Sequence, residues 1–195
     1  LVDVLSSVPN RRHCYHTRFC SWAQPSVVVV SVTERIGIVV VSPGVTGPVK
    51  SYEAAQRRLG YEEAMKKASL KPESVEGDWS VSTGYEVGNK VLERKVRPTA
   101  IFCANDHLSL GVIKAFAEKG LQVPKDLSIV GFDDLPESPY FNPSLTTVRQ
   151  DFSELGKYAM DKMLQQLKER HDKATLLVKP ELVVRDSTAR AQKGK

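Results

Sequence analysis

A chain of 195 residues with 41% hydrophobic content is long enough for one large domain with a real core, which excludes an intrinsically disordered protein. Its formal charge of +5 gathers at the two ends, where Arg11, Arg12, Arg18 and Arg35 outnumber Asp3 and Glu34, and Arg185, Arg190, Lys193 and Lys195 outnumber Asp186. The neutral body between them excludes a phosphate-tracking face, which needs concentrated basic residues, and no apolar run, Val27 to Val30 included, is long enough for a membrane span.

Residues 1–35 scatter Arg, His and Cys with no sustained period apart from a strand-like Val27 to Val32, and read as an extension whose order the sequence leaves open. Cys14, Cys20 and Cys103 are an odd set in a chain that needs no disulfide, which points to a reducing compartment. Leu1 to Pro9 lacks a basic stretch followed by a long apolar run, so no secretory signal is expected and the reading is cytoplasmic.

From residue 36 to 188 strand-like and helix-like segments alternate, the pattern of an α/β fold with a parallel sheet flanked by helices. Ile36 to Val41 is β-branched at every position but Gly37, as in strands buried on both faces. Helices are expected from about Ser51 to Ala68 and about Ser82 to Arg94, then a strand over Ala100 to Ala104. Asp106 to Lys119 spaces Leu108, Val112, Ile113 and Phe116 helically, with Gly120 as a left-handed cap. A strand over Leu127 to Phe132 follows, then an amphipathic helix over Phe152 to Leu167 carrying Leu155, Met160, Met163, Leu164 and Leu167. Leu182 to Val184 could close the sheet, and residues 189–195 form a basic tail.

In open parallel sheets ligands sit outside the carboxyl ends of the strands, where helix N-termini present free N–H groups. Polar segments fall at three such ends: Ser42-Pro43-Gly44, Asn105-Asp106 and Asp133-Asp134. A helix cap accounts for Asn105 or Asp106 taken singly. Two consecutive carboxylates after a buried strand require donors to neutralise them.

Arg97 to Asp106 (RPTAIFCAND), Val123 to Asp134 (VPKDLSIVGFDD) and Pro143 to Gln150 (PSLTTVRQ) strongly resemble, in order and spacing, the C-terminal core of the LacI/GalR family of transcriptional regulators. Upstream, Arg57-Arg58-Leu59-Gly60-Tyr61 resembles that family's Arg-x-x-Gly-aromatic helix, and Glu76-Gly77-Asp78-Trp79-Ser80 is similar to its lactose-repressor branch. The resemblance covers residues 36–188 and implies a periplasmic-binding-protein-like (type I) C-terminal subdomain that senses a sugar effector, with Arg57, Trp79, Asn105, Asp133, Gln150 and Phe152 facing it. In that role Asp133 accepts from neighbouring hydroxyls, Arg57 and Asn105 donate, and Trp79 and Phe152 offer flat faces to a pyranose. Taken singly, Arg57 also fits a surface ion pair, Trp79 a core cap and Phe152 simple helix burial.

The resemblance also implies a homodimer, no catalysis, no metal and no cofactor. In the family the helix over Phe152 to Leu167 leaves through a crossover at Thr147 to Gln150 and packs on the sheet of a first subdomain. That subdomain reads as largely missing here, so an unsupported apolar stripe is expected unless Val27 to Val32 supplies a surface. Residues 1–35 match neither the helix-turn-helix headpiece nor the first subdomain, and the loop Ser42 to Ser51 is longer than usual in the family. Operator DNA is therefore expected to be reached only through a headpiece outside this chain.

Three rival readings are weaker. Gly44 to Ser51 follows a buried strand and precedes a helix, as a phosphate-binding loop does, but Val49 replaces the required glycine and Pro48 lacks an N–H donor. A transport-type sugar-binding protein shares the cleft but normally carries a signal peptide. His13, Cys14, His16 and Cys20 lack the separated ligand pairs that clamp zinc from two sides.

Overall fold

The structure is a computed structural model that describes residues 36–41, 52–168 and 179–189. The elements in chain order are β1 (Ile36–Val41), α1 (Tyr52–Lys67), β2 (Ser74–Glu76), α2 (Val81–Leu92), β3 (Ala100–Cys103), α3 (Asp106–Glu118), β4 (Ser128–Asp133), a short 3-10 turn (Ser138–Tyr140), β5 (Thr146–Arg149), α4 (Phe152–Lys168) and β6 (Glu181–Val183). Among the described residues the strands form one sheet in the order β2-β1-β3-β4-β5-β6, parallel throughout except for the antiparallel β5–β6 pair.

The β-branched and apolar runs became β1, β3 and β4, and all four expected helices formed within a few residues of their expected ends. Two strands differ from expectation. β2 has only three residues at the sheet edge, with its outer two side chains exposed, so it carries too little pattern to be recognised. Thr146 to Arg149, read as part of a crossover, is strand β5: Thr146, Thr147 and Val148 are buried, and Thr147 pairs with Gly131 on one side and Val183 on the other. Threonine is β-branched and suits a strand, yet its hydroxyl hides it from a search for apolar runs.

Side-chain alternation on β3 separates the two faces of the sheet. Ile101 and Cys103 enter the main core with Val87, Val91, Leu108, Val112 and Phe116 from α2 and α3, whereas Phe102 packs with Ala54, Tyr61 and Met65 from α1. Cys103 is fully buried, and burial pushes its thiol up to about 12, so it acts as a small core hydrophobe. The helices after β1 and β3 thus lie on opposite faces, and the strand order reverses between those two strands. In doubly wound sheets this is the switch point where a crevice opens above the carboxyl ends.

Glycines let α2 and α3 approach backbone to backbone. A Cβ at Gly84 would lie 2.2 Å from the Leu108 carbonyl oxygen, and one at Gly111 would lie 2.1 Å from that of Val81. Gly120 sits at φ +70° just past α3, the left-handed cap its position suggested.

After β6 the chain doubles back across the start of β4 and β5. Buried Ser187 donates through Oγ to the Ile129 carbonyl at 2.6 Å and accepts from the Thr146 N–H at 2.8 Å, while its own carbonyl accepts from Ile129 N–H at 2.8 Å. Segments 1–35, 42–51 and 190–195, with the phosphate-loop-like, His/Cys and Val27 to Val32 readings, lie outside the described residues.

Candidate functional site

Arg57 projects from α1 beside the switch point. Its Nη1 donates to the Ala104 carbonyl at the end of β3, and its Nη2 donates to Asp133 Oδ1 at 3.1 Å. The guanidinium carbon lies 3.9 Å from the ring centroid of Phe132 and 5.4 Å from that of Trp79. A planar, weakly hydrated cation suits this setting, since it can stack on aromatic faces while its edge serves oxygen acceptors.

Asp133 ends β4 with φ +110°. Gln150, just beyond β5, donates through Nε2 to the same Oδ1 at 2.9 Å. Among the described residues Oδ2 of Asp133 receives no hydrogen bond. Burial pushes this carboxyl above the usual range; the Arg57 charge and the Gln150 hydrogen bond offset it in part, and the Asp106 charge adds to it.

Asp134 follows at φ +56° and behaves oppositely. Burial alone would raise it, but hydrogen bonds from Arg149 Nε (2.6 Å) and Arg185 Nη2 (2.7 Å), together with their charges, hold it below the usual range. The paired carboxylates therefore do not face each other unneutralised. Each has its own set of donors, and only Asp133 is turned toward Arg57.

Asp106 opens α3 fully buried, its carboxylate accepting from Leu135 N–H (2.9 Å), Ser138 Oγ (2.6 Å) and Thr147 Oγ1 (2.6 Å). Burial pushes its carboxyl up against the pull of these bonds. Its role is to tie the loop after β4 to β5 and to the start of α3.

Asn105 is the N-cap of α3. Its Oδ1 accepts from Leu108 N–H at 2.8 Å and its Nδ2 donates to the Trp79 carbonyl at 3.0 Å. The cap reading thus describes what Asn105 does in this structure, and through it the segment before α2 is held to the start of α3. Trp79 is partly buried and packs on both core clusters, so it serves the core as well as stacking near Arg57. The expected residues Arg57, Trp79, Asn105, Asp133 and Gln150 are drawn together. Phe152 is not joined to them by its side chain, which is 56% exposed, although its N–H donates to the Gln150 carbonyl at 3.0 Å.

Sequence reasoning missed Phe132, Arg149 and Arg185. Phe132 lay inside an apolar strand run and read as core, although it directly precedes the carboxylate pair. Arg149 and Arg185 are brought to Asp134 only by the β4–β5–β6 pairing. Among the described residues no group of His, Cys, Asp and Glu is placed to hold a metal ion, and no helix is long and apolar enough to cross a membrane.

The profile of the periplasmic binding protein-like domain family matches residues 33–188, in accord with this sheet order and switch-point site, and the chain belongs to that family. Within it the relatives are regulators. The chain is 40% identical over 147 residues to the HTH-type transcriptional repressor PurR of Histophilus somni, and 40% identical over 147 residues to that of Pasteurella multocida, in each case covering 73% of this chain and 44% of the relative. Among solved structures it resembles the dimeric Lac repressor with an 11-residue C-terminal deletion, with a TM-score of 0.73, 32% identity, and 81% of this chain and 57% of that one covered. It also resembles the Lac repressor dimer bound to operator and the anti-inducer ONPF, with a TM-score of 0.71, 33% identity, and 79% and 53% covered. This chain is a member of the LacI/GalR family of regulators, and these relatives are repressors rather than enzymes. It spans 44% of the length of these PurR relatives.

Proposed function

We propose that this chain is the effector-sensing part of a cytoplasmic, dimeric transcriptional repressor, and that its effector is a mono- or disaccharide. The observation that carries the reading is Asp133: a carboxylate at the switch point, steadied on Oδ1 by Arg57 and Gln150, with Oδ2 receiving no bond among the described residues. An oxygen of this kind accepts from sugar hydroxyls, and charge-assisted bonds are the strong ones. Trp79 supports a flat apolar contact with a sugar ring. Arg57 and Gln150 orient the carboxylate and Asn105 holds the Trp79 segment. Phe152 sits beside Gln150 as a second apolar face. DNA is reached through a headpiece such as the relatives' names describe, with effector binding altering operator affinity.

The test is calorimetry with a panel of mono- and disaccharides at millimolar concentration, with flat heteroaromatic bases as a control for stacking on Trp79. At least one sugar is expected to bind, and Asp133→Asn is expected to weaken it about 10- to 100-fold, the loss typical of a hydrogen bond to a charged group. Heat from the bases alone, or a sugar whose affinity is unchanged in Asp133→Asn, would overturn the reading.

A further inference from the structure

Asp133 and Asp134 are consecutive non-glycine residues at φ +110° and +56°. Aspartate enters the left-handed region near φ +56° more readily than most L residues, but φ +110° lies outside it and is held only where the surroundings impose it. The side chain of Asp133 is held at one oxygen only, by Arg57 and Gln150, and its backbone is paired with Arg149 in the sheet.

Further restraint comes from the next two residues. Asp134, its side chain only 8% exposed, is gripped by Arg149 at 2.6 Å and Arg185 at 2.7 Å. Arg185 is itself anchored: its Nη1 donates to the Leu145 carbonyl at 2.7 Å and its backbone N–H to Thr146 Oγ1 at 2.9 Å. Leu135 N–H is held by buried Asp106 at 2.9 Å. The loop is therefore pinned just after the residue whose carboxylate faces the crevice.

We infer that Arg149, Asp134 and Arg185 form a positioning clamp that fixes the backbone of Asp133, and so aims its carboxylate at Arg57 and Gln150, without the clamp residues touching the effector. The inference rests on Asp133 being the effector ligand. It adds that residues from β5 and from the segment after β6 set the site's geometry from outside it.

The experiment follows the Asp133 carboxyl by ¹³C NMR pH titration in the whole chain, unmodified and with Arg185→Met. The charged and polar groups bearing on it are Arg57 from α1, Gln150 after β5 and Asp106 at the start of α3. Loss of a cation near Asp134 would, by charge alone, push Asp133 further up. Release of the clamp frees the carboxylate to swing into water and brings it down toward the ordinary range. A downward shift in Arg185→Met, with the circular dichroism of the fold retained, is the expected result; an upward or absent shift overturns the clamp. Arg149→Met removes the more exposed arm and is read the same way if Arg185→Met does not fold. Saccharide binding is measured on the same samples. A downward shift in a protein that binds no saccharide overturns the sugar reading and leaves the clamp standing, whereas sugar binding with an unmoved Asp133 overturns the clamp alone.

Discussion

Two helices of this molecule, α3 and α4, both line up large apolar side chains along one side, and they meet different surroundings. On α3, Leu108, Val112, Ile113 and Phe116 are buried against the sheet and α2. On α4, Met160, Met163, Leu164 and Leu167 remain 57%, 59%, 49% and 74% exposed. An apolar stripe forms where a helix has a face to bury, so the stripe on α4 expresses the same requirement as that on α3 without a surface meeting it among the described residues. The pattern of a helix states what it needs against it, and only the fold states whether that is supplied.

The comparison can be broken most severely from the α3 side. Phe116→Ala removes a ring at the centre of the core and should cost about 3–5 kcal/mol, the usual loss for a buried aromatic, read as a fall in the urea midpoint. Next is the close contact beneath it: Gly111→Ala sets a Cβ against the backbone of Val81 and Tyr85 and should cost about 1–3 kcal/mol by forced repacking. Because the shift would pass to the start of α2, Trp79 fluorescence should change along with stability. The smallest effect belongs to α4. Replacing Met163 and Leu164 together by Gln should alter stability by no more than about 0.5 kcal/mol, while lowering aggregation, because the change removes exposed apolar surface.

Hydrogen exchange sharpens the same contrast. Amides of residues 153–167 should exchange faster than those of α3, since few buried contacts oppose local opening there. Slow exchange across 153–167 in a monodisperse sample would mean that α4 has found a covering surface, and the contrast would disappear.

Much of the fold could be read from the chain because the runs concerned carry their own period. Ile36 to Val41, Ala100 to Ala104 and Leu127 to Phe132 announce buried strands, and the spacing from Leu108 to Phe116 announces a helix. β2 was too short to show a period, and β5 spent two of its four positions on threonine. The site was legible where it follows strand ends, at Asn105, Asp133 and Gln150. What stayed hidden depends on pairing between distant segments. Nothing local in Arg185 says that it will meet Asp134, and nothing local in Asn105 says that the other end of its capping amide will meet Trp79.

The backbone-close meeting of α2 and α3 bears on how firmly Trp79 and Asn105 are seated. With carbonyl oxygens lying where a Cβ at Gly84 or Gly111 would have to sit, almost any enlargement at those positions forces the two helix backbones apart. Trp79 and Asn105, at the heads of these helices, therefore stand on an anvil of backbone against backbone.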